Sequence, residues 1–411
     1  MKKYVFITAR ISNMGGAENY LCCKKHWLEQ NGWDVIVIHY RSGPVLLPWF
    51  DNGTIHMECI KYPVYYYNRR KAEIILRQLE SVINDKEYEE VVIESTIVDI
   101  STWGEGVASR IQAKHVLYSL QEENLIQNES IKEYMRFKCS RNEVRCINKK
   151  SAKFLLDSAN IANIGPDAIV LSAYNVSPVA DYGYDLCATI ETKSKDYVIG
   201  SVGRLDKPYV IPMVKAIVDY VQKDTNHQYI LLLIGGGDDR FGALDKIEKL
   251  CTGIGNLHLY TTGYIYPIPL KLFRLCNIMI SSSGSANVCR EQGIPTISMD
   301  ALDGMPIGVV GYTTENRLYR ENEPILPLSW YLDAVLKRKE YSITSPIPSK
   351  EPDYCRHLEF IENSSHVNSY YDMFKIKWDT KYWIQRILMP LIGPKLFHKI
   401  LYLFRDNRGI V

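Results

Sequence analysis

The stretch Tyr197-Val-Ile-Gly-Ser-Val-Gly-Arg-Leu-Asp-Lys207 decides how this chain is read. A short apolar run ends in glycine, then in Arg, Asp and Lys, and a helical pattern over Val210–Gln222 follows. A buried strand that opens through a polar loop into a helix is half of a βαβ unit. The unit repeats downstream. Gln228–Ile234, Leu257–Thr261, Ile278–Ser282 and Pro295–Met299 read as further buried strands. Phe241–Thr252, Ile268–Leu275 and Ser285–Gln292 read as the helices between them. Strands alternating with helices predict an α/β fold with a parallel sheet.

The same rhythm runs upstream. Tyr4–Ala9, Asp34–His39, Glu90–Ser95, His115–Leu120, Val144–Asn148 and Ala168–Ser172 are the strand candidates, and Ala17–Gln30, Arg69–Ile83, Ile131–Cys139 and Lys150–Ala159 the helical ones. Val176–Asp196 lacks periodicity and reads as a linker. The expected division is a first domain over 1–178, a second over 196–345, and C-terminal helices with a basic tail over 346–411. Two doubly wound domains hold their ligands at the carboxyl ends of the strands, facing the cleft between them.

Composition narrows the class. Of 411 residues, 49 are Lys or Arg and 47 Asp or Glu, a net charge of +2, with 46% hydrophobic and 23% charged residues. These values exclude a mostly disordered chain, a collagen-like fibre and a polytopic membrane protein. A nucleic-acid binder acting through overall charge is disfavoured. None of the ten cysteines forms a CxxC pair, so they read as reduced, buried thiols of a cytoplasmic protein. The first ten residues read as a strand and not a signal peptide, and no window supplies a transmembrane helix.

The candidate sites sit where strands end. Gly15-Gly16-Ala17-Glu18 precedes the first helix, where glycines admit a phosphate or sugar to the backbone; a tight turn with a favourable first-turn acid is the plainer alternative. Gly203-Arg204-Leu205-Asp206-Lys207 offers a planar guanidinium and a movable ammonium for phosphate oxygens. Ser281-Ser282-Ser283-Gly284-Ser285-Ala286-Asn287 opens a helix after an apolar strand, which suits an anion nest, simple capping by Ser283 or Ser285, or both. Glu291, further along that helix, could bond a ribose hydroxyl or sit on a solvated face. Gly235-Gly236-Gly237-Asp238-Asp239 and Thr261-Thr262-Gly263-Tyr264 end two further strands. The first suits a loop near a ligand, and the second a base contact through backbone and the Tyr ring. Glu122 or Glu123, in Ser119-Leu120-Gln121-Glu122-Glu123-Asn124, could act as a general base or orient an acceptor. No GxGxxG, P-loop, GxSxG or HExxH motif occurs.

Taken in order, Gly15-Gly16-Ala17-Glu18, Gly203-Arg204-Leu205 with Lys207, Leu233-Ile234-Gly235-Gly236-Gly237-Asp238, Thr262-Gly263-Tyr264 and Gly293-Ile294-Pro295 resemble the GT-B glycosyltransferases of the family-4 type (glycosyl transferases group 1) over residues 3–340. The resemblance implies two Rossmann-like domains with parallel sheets facing a central cleft, plus C-terminal helices. It implies a nucleotide-sugar donor, UDP- or GDP-linked, on the second domain and a glycan or lipid-linked acceptor on the first. No separate cofactor or metal is implied. Arg204 and Lys207 would neutralise the donor diphosphate, joined by Gly15, Gly16, Ser283, Gly284, Ser285 and Ala286. Gly236, Gly263, Tyr264 and Glu291 would meet the nucleoside, and Glu122, Arg204 and Lys207 would serve catalysis. The sequence departs from the family where two glutamates seven residues apart are usual: Ile280 and Val288 stand there. Near Gln121 the usual His is replaced. The loop with Asp300 and Gly311–Asn316 resembles a divergent bacterial subset linked to polysaccharide assembly. The expected activity is hexosyl transfer in surface polysaccharide synthesis, retaining and metal-independent. The missing glutamates keep open a non-catalytic subunit that binds a partner transferase.

Residues 375–411 hold eight Lys or Arg and two acids, with Trp378, Trp383, Phe397 and Phe404 among them. A basic amphipathic segment of this kind suits an anionic membrane surface, with 375–405 as the contact, on the inner face of the cell membrane. Packing on the first domain is the equal alternative.

Overall fold

The computed structural model describes residues 1–12, 15–121, 126, 128–172, 178–191, 195–237, 242–341, 353–364, 369–376, 391–392 and 396. The chain divides into two compact units. One holds Met1–Asn13, Ala17–Asn175 and Pro352–Val411, and the other Met14–Gly16 and Val176–Glu351.

The first unit runs β1 (Lys2–Thr8), α1 (Gly16–Gln30), β2 (Trp33–His39), β3 (Thr54–His56), α2 (Arg69–Ile83), β4 (Glu90–Ser95), α3 (Val98–Ile111), β5 (Lys114–Ser119), α4 (Glu129–Ser140), β6 (Val144–Cys146) and α5 (Lys149–Ser158). Its strands order as β3-β2-β1-β4-β5-β6, all parallel. Side chains alternate across the sheet. Val5, Ile7, Ile36, Ile38 and Ile93 enter one core with the apolar stripe of α2, namely Ala72, Ile75, Leu76, Leu79 and Ile83. Each large side chain in that stripe contributes about 2 kcal/mol by leaving water. Asn68 caps α2 by accepting from the Lys71 amide.

The second unit runs β7 (Val179–Ala180), α6 (Asp185–Glu191), β8 (Tyr197–Val202), α7 (Val210–Lys223), β9 (Tyr229–Ile234), α8 (Ala243–Cys251), β10 (Leu257–Thr261), β11 (Ile268–Pro269), α9 (Leu270–Arg274), β12 (Ile278–Ser281), α10 (Gly284–Glu291), β13 (Thr296–Met299), β14 (Pro306–Val309) and α11 (Leu328–Leu332). Its main sheet orders as β10-β9-β8-β12-β13-β14, with β14 antiparallel. Ile199, Leu231, Leu233, Ile278 and Ile280 face α7, α8 and α11. Val198, Val202, Ile230, Leu232 and Met279 face α6, α9 and α10. After α11 the chain rejoins the first unit as α12 (Tyr354–Glu362). Both sheets therefore carry the doubly wound order 3-2-1-4-5-6, and the expected α/β class with two Rossmann-like bodies is what the structure has. No helix among the described residues is long and apolar enough to cross a membrane.

Several expectations need correction. Ala168–Ser172 is not a strand: a 3-10 turn over Pro166–Ile169 takes its place, and a single bridge, Cys146 to Val170, joins the segment to β6. Pro166 at the start of the turn fixes a helical φ. The expected linker contains β7 and α6. The helix α3 lacks a clean apolar stripe because it is buried almost all round, polar Ser101, Thr102 and Glu105 included. A Cβ at Gly104 would lie 2.5 Å from His115 Nε2 and from Ser95 Oγ, so glycine lets α3 press onto the sheet.

Two buried polar networks hold the first unit. Glu94, on β4, accepts from Lys24 Nζ at 2.6 Å, Tyr4 at 2.7 Å and Tyr20 at 2.9 Å. Burial lowers the Lys24 pKa, and Glu94 opposes that shift. His357 of α12 closes the cluster, with Nδ1 3.3 Å from the Tyr20 hydroxyl and its pKa pushed by burial and by Lys24 down to about 2. In the second network His115 Nδ1 lies 2.7 Å from Glu105 and Nε2 lies 3.0 Å from Ser95 Oγ. Lys138 donates to Glu105 at 2.9 Å. This Ser–His–Glu chain has the geometry of a hydrolase triad, but Ser95 is 0% exposed and His115 1%, so no substrate reaches it. Burial and Lys138 lower the His115 pKa to about 4.

Both histidines are buried neutral, whereas in the unfolded chain they titrate near 6.5. Their contribution is complete above about pH 6.5; that of His115 is lost as pH falls to about 4 and that of His357 as it falls further to about 2, because the unfolded state then binds protons that the folded state refuses. Urea unfolding measured from pH 7 to 4.5 is expected to show this loss. His357→Gln should lower the proton uptake on unfolding by about one.

Candidate functional site

In a doubly wound sheet the crevice opens where the winding reverses. In the second unit that point lies between β8 and β12, so the loops after these strands flank it. They are Gly203–Tyr209 and Ser282–Ser283, within two of the segments that the sequence singles out.

The loops after β8, β9 and β10 are laced by backbone contacts. Gly203 N donates to Ile234 O at 3.0 Å, and Leu205 N to Gly236 O at 2.9 Å. Gly235 N donates to Thr262 Oγ1 at 3.1 Å, and Gly235 bridges Gly263. Glycine is required here: Gly203 and Gly235 have φ of +144° and +142°, and a Cβ on Gly235 would stand 2.1 Å from Gly203 O. A Cβ on Gly236 would lie 2.6 Å from the Tyr264 ring, so that ring packs flush on the backbone. At Gly237 there is room: a Cβ would stand 3.4 Å from Leu205 Cβ, an ordinary contact. Gly236, buried under the half-buried Tyr264 ring, and exposed Gly263 thus sit together at the β9 and β10 ends.

Arg204 is half-buried and its Nε lies 3.6 Å from Asp206 Oδ1, an ion pair longer than a hydrogen bond. The Asp206 oxygen is buried with no hydrogen-bond partner among the described residues. Asp206 holds the guanidinium by one edge and leaves the remaining N–H groups for an acceptor. Lys207 directly follows Asp206 in the same turn, its amide 3.4 Å from Arg204 O. Tyr209 sits beneath: its hydroxyl lies 3.5 Å from a Cβ placed on Gly203, and burial raises its pKa to about 12.

Across the switch point Ser281 Oγ donates to Val202 O at 2.5 Å, tying β12 to β8. Ser283 has φ +57° and its side chain makes no cap, which corrects the expected capping. Its amide is spent on Arg317 O at 2.5 Å, and Ala286 N donates to Ser283 O at 3.1 Å. The amides of Gly284 and Ser285, at the positive end of α10, meet no acceptor among the described residues. Ser285 Oγ lies 3.6 Å from a Cβ placed on Gly203, so this helix end adjoins the Arg204 loop. Arg204, the α10 amides and Ser285 can together receive an anion with several oxygens.

Other expected residues fall elsewhere. Glu291 is the last residue of α10, two turns from Gly284, or about 10 Å along the axis. Burial raises its pKa, and Arg317 opposes the shift. Gly15 and Gly16 lie at the start of α1, where Glu18 pairs with Arg10 at 2.5 Å. Glu122, Glu123, Asp238 and Asp239 lie outside the described residues. Ile280 is wholly buried in β12, in the core. Tyr209 and Arg317 escape sequence reading. Tyr209 could have been found as a polar residue inside an apolar helix start, but no local signal marks Arg317, 34 residues from Ser283.

No family model matches the chain, and no curated protein matches it. Solved structures share its fold. A glycosyltransferase from Rickettsia africae ESF-5 superposes with a TM-score of 0.58 at 13% identity, over 100% of this chain and 99% of that one. HepE from Anabaena, in complex with UDP and glucose, gives 0.55 at 13% identity, over 91% and 96%. Sucrose-phosphate synthase from Thermosynechococcus elongatus gives 0.50 at 12% identity, over 99% of both. The chain thus has the GT-B fold of these enzymes.

Gly235→Ala should destabilise the second unit by about 2–4 kcal/mol, from strain and the clash with Gly203. Gly16→Ala meets nothing within 4 Å and should leave the thermal transition unchanged. Differential scanning calorimetry of the two variants checks the contrast.

Proposed function

We propose that the protein is a glycosyltransferase that carries a hexosyl group from a nucleotide-sugar donor to a glycan or lipid-linked acceptor in surface polysaccharide assembly. The observation that carries the reading is the pairing of Arg204 with the open α10 amides across the switch point of the second sheet. Exposed Gly263 and the Tyr264 ring, with Gly236 beneath it, are the proposed nucleoside contact. The HepE structures bound to UDP and to UDP-glucose support a uridine diphosphate donor, and a GDP-linked donor fits the same chemistry.

Cleavage of the anomeric C–O bond leaves negative charge on the departing diphosphate. Arg204, Lys207 and the Gly284 and Ser285 amides would stabilise that charge without reorganising, and without requiring a metal. Glu122 is the proposed acceptor-side group, as base or as orienting residue. Retention of configuration follows the family resemblance, as does the expected place on the inner face of the membrane. The aliphatic residues at Ile280 and Val288 favour one second reading, a GT-B-like subunit that binds a partner transferase and does not turn over.

Titration calorimetry with UDP and GDP is expected to show saturable binding. Arg204→Ala should weaken it about 10- to 100-fold, the loss of one or two charge-assisted hydrogen bonds. Absence of binding to either nucleotide would refute the donor site. Sugar transfer by the purified chain, followed by intact mass of the product, separates the two readings: binding without turnover across donors supports the subunit.

A further inference from the structure

The loop between β2 and β3 builds a small polar cavity against α1, remote in the chain from the Arg204 site. Pro48, Trp49, Asp51 and Asn52 of the loop and Lys25 and Glu29 of α1 line about 200 Å³. The helix follows the carboxyl end of β1 and leads into β2, so its second half returns toward the amino ends of the strands. A Cβ on Gly53 would stand 2.6 Å from the carbonyl of Val35, near the start of β2, which places the loop at that same end. The cavity therefore lies away from the carboxyl ends, where a doubly wound sheet holds its usual ligands.

Its walls are fixed by their neighbours. Pro48 opens a 3-10 turn over Pro48–Phe50, and Phe50 is buried beneath it. Gly53, at φ +64°, accepts from Val37 N at 2.7 Å. Trp49 stacks on His26, with ring centroids 4.2 Å apart and planes 2° from parallel. The Lys25 side chain is 1% exposed, and its Nζ donates to Glu29 Oε1 at 2.7 Å and to Asn52 Oδ1 at 2.9 Å. The second Glu29 oxygen, the Asn52 amide N–H groups and the third Lys25 proton are left for a further partner. Asp51 is exposed and makes no ion pair among the described residues.

These groups select by charge and by shape. One ammonium and two carboxylates surround the cavity, so one negative charge is in excess and an anion is repelled. The buried ammonium in the wall repels a cation in turn. What remains is a neutral ligand rich in hydroxyl groups. Carboxylates accept from hydroxyls, while the amide and the ammonium donate to them. The indole supplies a flat apolar wall on which the C–H face of a sugar ring can rest. The volume lies below the ~300 Å³ at which pockets for drug-sized ligands begin, so it suits a single ring. We propose that this cavity binds one residue of a neutral saccharide, as a holding site separate from the transfer site. Where a glycan is the acceptor, the cavity gives the protein a second hold on it. That role rests on the transfer reading, and the saccharide binding itself does not.

Saturation-transfer difference NMR of the full chain tests this, with methyl α-glucoside, methyl β-galactoside and N-acetylglucosamine as neutral probes and choline and glycerol 3-phosphate as charged ones. Saturation should reach at least one neutral sugar and neither charged probe. Trp49→Ala should weaken the sugar about 10-fold through the lost ring contact. Asp51→Asn should weaken it by a similar factor, about 10-fold, through the lost charge-assisted acceptor. Asp51 has no ion pair to lose, so the melting curve of that variant should match the wild type, which excludes misfolding as the cause. Undiminished sugar binding in either variant overturns the proposal, as does saturation of no neutral sugar, or of choline or glycerol 3-phosphate alone. A wild type that binds sugar through these residues but neither UDP nor GDP upholds the holding site and refutes the donor site alone.

Discussion

Parallel pairing imposes the constraint on which this structure depends. Each crossover must return over a face of the sheet, and a right-handed connection fixes which face. Beginning a sheet in the middle and winding both ways leaves one place where consecutive helices part to opposite faces. In the second unit that place lies between β8 and β12. Two loops 79 residues apart, tied by Ser281 to Val202, then stand side by side at the carboxyl ends. Arg204 comes from one and the α10 amides from the other. The candidate site is therefore a product of topology first and of residue chemistry second.

Close approach comes next. The loops after β8 and β9 cross with so little space that glycine is demanded at both positions, and the Tyr264 ring lies directly on the Gly236 backbone. Such contacts need no side-chain recognition between the loops. They spend their backbone N–H and C=O groups on one another, Gly203 N on Ile234 O and Leu205 N on Gly236 O, which fixes the loops that flank Arg204. The strain at Ser283, held by the Arg317 carbonyl, belongs to the same economy: that amide turns inward and the next two remain available.

The first unit is held differently. Lys24 and Glu94 are both withdrawn from water and pair at 2.6 Å, with two tyrosines and His357 completing their shell. Such a pair adds little net stability over apolar residues of similar shape, but removing one partner leaves a charge stranded. Its consequence here is the seating of α12, a helix more than 330 residues from Lys24 in sequence, against β4 and α1. The buried Ser95–His115–Glu105 chain teaches a related lesson. Geometry alone would assign it to catalysis, while its burial makes it a brace between α3, β5 and α4.

Much of this was legible in the amino-acid sequence. Apolar periodicity located β4, β8, β10 and α2 to the residue, because the alternation of faces is a local property of the chain. The Arg204 and Ser283 segments were legible too, as polar residues placed where strands end. The sequence could not show that α3 is a helix, since near-complete burial erases the stripe by which helices are read. Nor could it show that Lys24, Lys138 and His115 are internal, because each depends on a partner remote in the chain. Periodicity records which side of an element meets water; it carries no record of which distant element supplies the counter-charge. The sequence alone determined the α/β class and the residues at the strand ends. The tertiary structure alone decided which of those ends adjoin, and that Glu291 stands two turns from the start of α10, since adjacency is set by crossover handedness and by contacts closed over dozens of residues.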